Sequence, residues 1–231
     1  MKKKRILALF LAAVSCLSLA VSASAAGTTT RKATDFKDYD RTAWYAEAVS
    51  AAVDNGLLYG KSATVIDPNG DMTRAEMAAI INRSFGCYKA ADISQYKDVA
   101  KSKWYYKDVA MAVQMGTYNG RSSSAMAPDA PISRQEAMAV VARALELDYD
   151  SYSKTDLSTF SDRSEISNWA LPYVRAMVGA DYIHGRGKTL APLDNITRAE
   201  FAQIFYNIIG TYIVSKGTYD KDIKGSVLIR T

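Results

Sequence analysis

A triplet of matched positions governs this chain. Trp44, Trp104 and Trp169 are followed 30, 30 and 29 residues later by Arg74, Arg134 and Arg198. Gly60, Gly120 and Gly185 each stand 16 residues after their tryptophan, and Pro68, Pro128 and Pro192 stand six before their arginine. Asp38, Asp98 and Asp162 precede the tryptophans by six, six and seven residues. An internal period changes the meaning of every residue inside it, because each copy is one structural unit that must bury its apolar face against its neighbours. Two-helix units of about 60 residues bury too little surface alone, so the three are expected to share a core.

Each copy reads as helix, loop, helix. In "WYAEAVSAAVDNG", Tyr45, Val49, Ala52 and Val53 recur at helical spacing, and Gly56 supplies a left-handed stop. Val109, Ala112, Val113 and Gly116 repeat this, as do Val174, Met177 and Val178, with Asp181 in the place of the glycine. The second helix opens on "TRAE", "SRQE" and "TRAE". Thr73, Ser133 and Thr197 are suited to cap it, with Glu76, Glu136 and Glu200 three residues later completing a capping box. The fold class expected is all-α: three helix-loop-helix repeats packed as a pseudo-threefold trimer, with a short strand-like C-terminal tail. The alanine faces of the first helices, Ala48, Ala51 and Ala52 in the first copy, are expected to meet at the axis.

Capping accounts for the hydroxyl residue and the glutamate but not for the arginine between them. A cation in the first turn opposes the helix dipole, so its triplication asks for an anion. Two readings stand. In one the anion is internal, and Arg74, Arg134 and Arg198 pair with Asp98, Asp162 and Asp38 across the repeat boundaries. In the other it comes from outside.

The ends are of another character. "MKKKR", the apolar "ILALFLAAVSCLSLAV" and the small residues "SASAA" form the three regions of a secretory signal peptide cleaved after Ala25 or Ala26. Acylation of Cys16 is a rival reading. The organisation expected is signal peptide 1–26, linker 27–35, repeats 36–87, 96–147 and 160–210, and a tail 211–231 that reads as the start of another module. Loss of the leader leaves 25 Lys and Arg against 24 Asp and Glu, which gives no broad electrostatic footprint for nucleic acid. No membrane span is expected after cleavage. Cys87 is then the sole cysteine, excluding an intramolecular disulfide. His184 is the sole histidine, which removes most zinc and histidine-dependent catalytic arrangements. "DPNGD" at 67–71 lacks the spaced ligands and terminal Glu of a calcium loop. No nucleophile with its base stands out, and neither metal nor cofactor is called for.

The aromatic-x-Asp starts "FKD", "YKD" and "FSD", the segments "WYAEAV", "WYYKDV" and "WALPYV", the glycine before a basic residue in "YGK", "NGR" and "HGR", and the TRAE-like motifs together resemble S-layer homology domains. These are the modules by which exported bacterial proteins attach to the cell wall. The resemblance covers about residues 36–210. It implies inter-repeat grooves that hold an acidic secondary cell-wall polysaccharide, commonly one carrying a pyruvate ketal, outside the membrane. It also implies that Arg74 works with Asp98 and Trp104, Arg134 with Asp162 and Trp169, and Arg198 with Asp38 and Trp44. A guanidinium fork matches a carboxylate, and an indole offers an apolar face to a sugar ring. Gly60, Gly120 and Gly185 would let sugar approach the backbone, and Lys61, Arg121 and Arg186 would form a second basic ring. For each tryptophan, packing between repeats is the competing role. Gln135 in the second motif and the shorter third loop point to weaker second and third grooves. Alternatives from other classes are a self-associating S-layer or envelope subunit and a binder of modified peptidoglycan. An enzyme is not expected.

Overall fold

The computed structural model describes residues 31–87 and 89–210. The expected signal peptide and the strand-like tail lie outside them. The described residues form six α-helices, two per repeat: α1 (Ala46–Asp54), α2 (Arg74–Phe85), α3 (Tyr106–Met115), α4 (Arg134–Ala144), α5 (Leu171–Gly179) and α6 (Arg198–Ile209). Extended segments among the described residues make isolated bridges and no sheet, so the chain is all-α.

The three second helices start on the capping box that their sequence encodes. Thr73, Ser133 and Thr197 accept the amides of Glu76, Glu136 and Glu200, while each glutamate accepts the N–H of its own cap residue. The first helices have no side-chain cap and are positioned by packing; α5 also carries Pro172 in its first turn, where no intrahelical donor is lost. Gly56 (φ 67°), Gly116 (φ 77°) and Asp181 (φ 62°) turn the chain left-handed at the three equivalent stops.

Repeats are joined in a ring. α2 packs on α3, α4 on α5, and α6 on α1, so that each second helix lies against the first helix of the next repeat and the third repeat closes on the first. The first helices do not meet at the axis as expected. Ala48 and Ala52 are buried, but their small side chains leave room for the second helix of the neighbouring repeat, where Phe201 and Phe205 lie close to Ala52. The axis is instead made by the segments that enter the second helices. The Met72 N–H donates to Ile196 O, the Ile196 N–H to Ile132 O, and the Ile132 N–H to Met72 O, each at 3.0 Å. All three side chains are buried at this junction.

The same segments satisfy the helix starts. The N–H groups of Arg74 and Ala75 donate to Ala130 O and Pro128 O, those of Arg134 and Gln135 to Asp194 O and Pro192 O, and those of Arg198 and Ala199 to Gly70 O and Pro68 O. Helix termini leave such donors without intrahelical partners. Here the next repeat supplies them.

Candidate functional site

Arg74, Arg134 and Arg198 occupy the first position of α2, α4 and α6 and are 4%, 4% and 2% exposed. Each reaches into the next repeat. Arg74 Nε donates to Met126 O at 2.9 Å, Arg134 Nε to Leu190 O at 2.8 Å, and Arg198 Nε to Ile66 O at 2.9 Å. Their terminal nitrogens face the motif glutamates of that repeat: Arg74 to Glu136 at 3.2 Å, Arg134 to Glu200 at 3.0 Å and Arg198 to Glu76 at 3.3 Å. Arg74 also donates to Asn119 O, and Arg198 to Tyr59 O. The anion that the sequence demanded is therefore present inside the protein, as a glutamate and not the aspartate of the internal reading.

The aspartates have another task. Asp98 accepts the N–H groups of Met126 at 2.9 Å and Ala127 at 2.6 Å. Asp38 does the same for Ile66 and Asp67, and Asp162 for Leu190 and Ala191. The second residue of each pair has a positive φ, 55°, 54° and 49° for Asp67, Ala127 and Ala191. A bidentate carboxylate thus holds the loop in a conformation that non-glycine residues rarely adopt.

Each motif glutamate joins two cations. Besides its cap amide and the buried arginine, it pairs with the basic residue after the glycine of its own repeat. Lys61 meets Glu76 at 2.5 Å, Arg121 meets Glu136 at 3.3 Å, and Arg186 meets Glu200 at 2.6 Å. These outer cations are half-exposed. Burial raises the three carboxyl pKa values, yet the cap hydrogen bonds and paired cations outweigh it and hold all three below the usual glutamate range. For Arg134 and Arg198, burial lowers the pKa more than the facing carboxylate raises it. Desolvation of this kind makes such a pair a device for geometry more than for net stability.

Open clefts lie beside two of the seams. One, of about 400 Å³, is lined by Arg74 from the first repeat, Gly120, Arg121 and Glu136 from the second and Trp169 from the third. The other, of about 420 Å³, brings together Arg134, then Gly185, Arg186 and Glu200, and then Trp44. All three repeats thus contribute to each cleft. The indole facing each arginine comes from the repeat after the one expected: Trp169 serves Arg74, and Trp44 serves Arg134. Trp44, Trp104 and Trp169 are 63%, 53% and 49% exposed, so packing does not consume them.

Gly120 and Gly185 line these clefts, but their lack of a side chain has an internal cause. A Cβ at Gly120 would strike the Tyr96 ring and two loop carbonyls, at Gly60 the Phe36 ring, and at Gly185 the Phe160 ring. The aromatic-x-Asp starts therefore lie on the glycines. Sequence reasoning missed Tyr118, Arg143 and Tyr173 in the first cleft. Arg143 lies 4.6 Å from the Tyr173 ring centre and donates to its hydroxyl. No triplicated motif marks these residues: Tyr118 is matched by Leu58 and Ile183, Tyr173 by Asp108 and Ala48, and Arg143 by Arg83 in the first repeat but by Asn207 in the third. Gln135, the departure in the second motif, exchanges hydrogen bonds with the hydroxyl and N–H of Ser167.

The profile of the S-layer homology domain matches residues 35–78, 95–138 and 159–202. The chain belongs to the S-layer homology domain family. Its S-layer homology repeats are similar to part of the surface-layer 125 kDa protein of Lysinibacillus sphaericus, with 34% identity over 77% of this chain and 15% of that protein. They also resemble part of an amylopullulanase of Thermoanaerobacterium thermosulfurigenes (29% identity, 80% of this chain, 11% of that protein). An endoglucanase of Bacillus sp. (strain KSM-635) matches at 26% identity over 89% of this chain and 22% of its own length. The chain thus spans less than a quarter of each of these relatives. No described helix of the S-layer homology repeats is long and apolar enough to cross a membrane.

Proposed function

We propose that this chain is a non-catalytic module that anchors a protein at the cell surface by binding an anionic secondary cell-wall polysaccharide, one carrying a pyruvate ketal, in its inter-repeat clefts. One observation carries the reading: each of two open clefts sets a half-exposed arginine, Arg121 or Arg186, and an exposed indole, Trp169 or Trp44, around a buried arginine–glutamate pair. A carboxylate on a sugar ring pairs with the outer guanidinium while the ring lies on the indole. The buried Arg74 or Arg134 forms the floor, the aspartates hold the loop in shape, and the glycines bring its backbone to the cleft. Lys61, Arg198 and Trp104 are the equivalent set at the third seam. The relatives support this reading, because the part they share with this chain recurs in a surface-layer protein and in two proteins named for different hydrolytic activities.

The test is sedimentation with purified wall sacculi. The triple variant K61A/R121A/R186A is expected to stay in the supernatant while melting like the parent. Extraction of the walls with hydrofluoric acid, which strips secondary polymer, is expected to abolish parental binding. Unchanged binding to stripped walls would transfer the ligand to peptidoglycan, and unchanged sedimentation of the triple variant would remove the clefts from the binding site.

A further inference from the structure

The two open clefts differ in charge at equivalent positions. In the first, Arg143 stands on α4 and donates to Thr117 O; in the second, the matching residue of α6 is Asn207, which donates to the equivalent carbonyl of Tyr182 at 3.1 Å. Arg121 has Glu136 as its carboxylate partner, whereas Arg186 lies between Glu200 at 2.6 Å and Asp194 at 2.6 Å. Asp194 replaces Ala130 of the second repeat. The first cleft therefore sets three guanidinium groups (Arg74, Arg121, Arg143) against one carboxylate. The second is lined by two (Arg134, Arg186) with Glu200 and by His184, which faces Asp181, and Asp194 beside its lining takes up the charge of Arg186.

We infer that the clefts are unequal subsites, the first selecting the acidic sugar of the polymer and the second an uncharged neighbour, with Arg143 and Asp194 as the residues that set the difference. The inference rests on the proposed glycan-binding function. In the second cleft Gln203 donates to Asn207 Oδ1 at 2.8 Å, so the pair forms an uncharged polar wall whose remaining amide groups suit sugar hydroxyls, and Arg186 is already neutralised. In the first, Arg143 is aligned over Tyr173 and adds a cation at the cleft wall with no carboxylate partner among the described residues. Two polymer residues bound at separate seams of one rigid ring also gain from effective concentration.

The chain's three tryptophans make the test site-resolved, since Trp169 belongs to the first cleft and Trp44 to the second. The probes are a methyl hexoside carrying a pyruvate ketal and the same glycoside as its methyl ester. Each is titrated into the full chain while the indole N–H signals are followed by NMR, assigned through single Trp→Phe variants. The acid is expected to move the Trp169 signal at about tenfold lower concentration than the Trp44 signal, as two half-exposed charges are each worth a few-fold. The ester is expected to abolish that gap. R143N and D194A install the other repeat's residue; R143N should weaken the Trp169 response, and D194A should strengthen the Trp44 response to the acid. Equal acid titration of both signals would overturn the inequality and leave the anchoring proposal standing. Silence of both signals with both probes, in a chain that still sediments with walls, would overturn glycan binding in the clefts and the inference with it.

Discussion

Arg74 and Asp98 hold the two ends of a single peptide group. Asp98 accepts the Ala127 N–H at 2.6 Å, and Arg74, from the preceding repeat, donates to the Met126 carbonyl of that same peptide at 2.9 Å. The pair thus fixes a loop that one residue alone would leave free to rotate, and joins two repeats while doing so.

Arg74→Ala removes a buried cation that serves three oxygen acceptors, so it is expected to destabilise the fold by about 3–5 kcal/mol. Arg121→Ala, in contrast, removes one half-exposed partner of Glu136 and is expected to shift stability by less than about 1 kcal/mol. Urea denaturation of the two variants checks this. Equal loss of stability in both would mean that the inner and outer cations are not functionally divided.

The lowered pKa values of Glu76, Glu136 and Glu200 fix the direction of acid sensitivity. A carboxylate whose folded pKa is depressed contributes stability above its ordinary value, 4.5 here, and that contribution is lost as pH falls through the folded value. Melting temperature is therefore expected to hold from neutrality to about pH 5 and then to drop steeply. Glu136→Gln should lower it at neutrality and flatten the drop, and a variant with the parental slope would exclude Glu136 from the transition.

Gly120→Ala is expected to destabilise by about 1–3 kcal/mol, because the new methyl meets both the Tyr96 ring and the Ala125 carbonyl, which would lie at 2.8 Å. Calorimetry of this variant distinguishes an internal requirement for glycine from one imposed by ligand. A normal melt with lost wall binding would favour the ligand.

Trp104→Ala changes a side chain that is 53% exposed, and its melting temperature is expected to remain within a few degrees of the parent. Sedimentation with walls is expected to weaken. A large stability loss with binding retained would return the indole to a packing role.

The repeat, the capped starts of the second helices and the stops of the first were legible in the sequence because their causes are local: a hydroxyl, a glutamate three residues on, and a glycine or aspartate able to turn left-handed act within a few residues of one another. The need for an anion beside each motif arginine was legible for the same reason. Its identity was not, since Glu136 already had a sufficient explanation in capping Ser133, and nothing in the order of residues shows that its second oxygen faces Arg74. The origin of each indole escaped too. Trp169 reaches the cleft of Arg74 through ring closure, a relationship between repeats that are not adjacent in the chain. Ala48 and Ala52 were rightly read as contact residues, but small side chains fit a large partner as well as a small one, and the partner proved to be a helix bearing Phe201 and Phe205.

The three hydrogen bonds linking Met72, Ile132 and Ile196 form a loop with no first or last member. An open solenoid can gain or lose units at its ends and needs caps there; this arrangement has no ends at which to grow. Excising one copy would leave amides and a guanidinium without acceptors on one new face and carbonyls and a glutamate without donors on the other, so duplication or recombination that preserves the fold must move the repeats as an indivisible set of three.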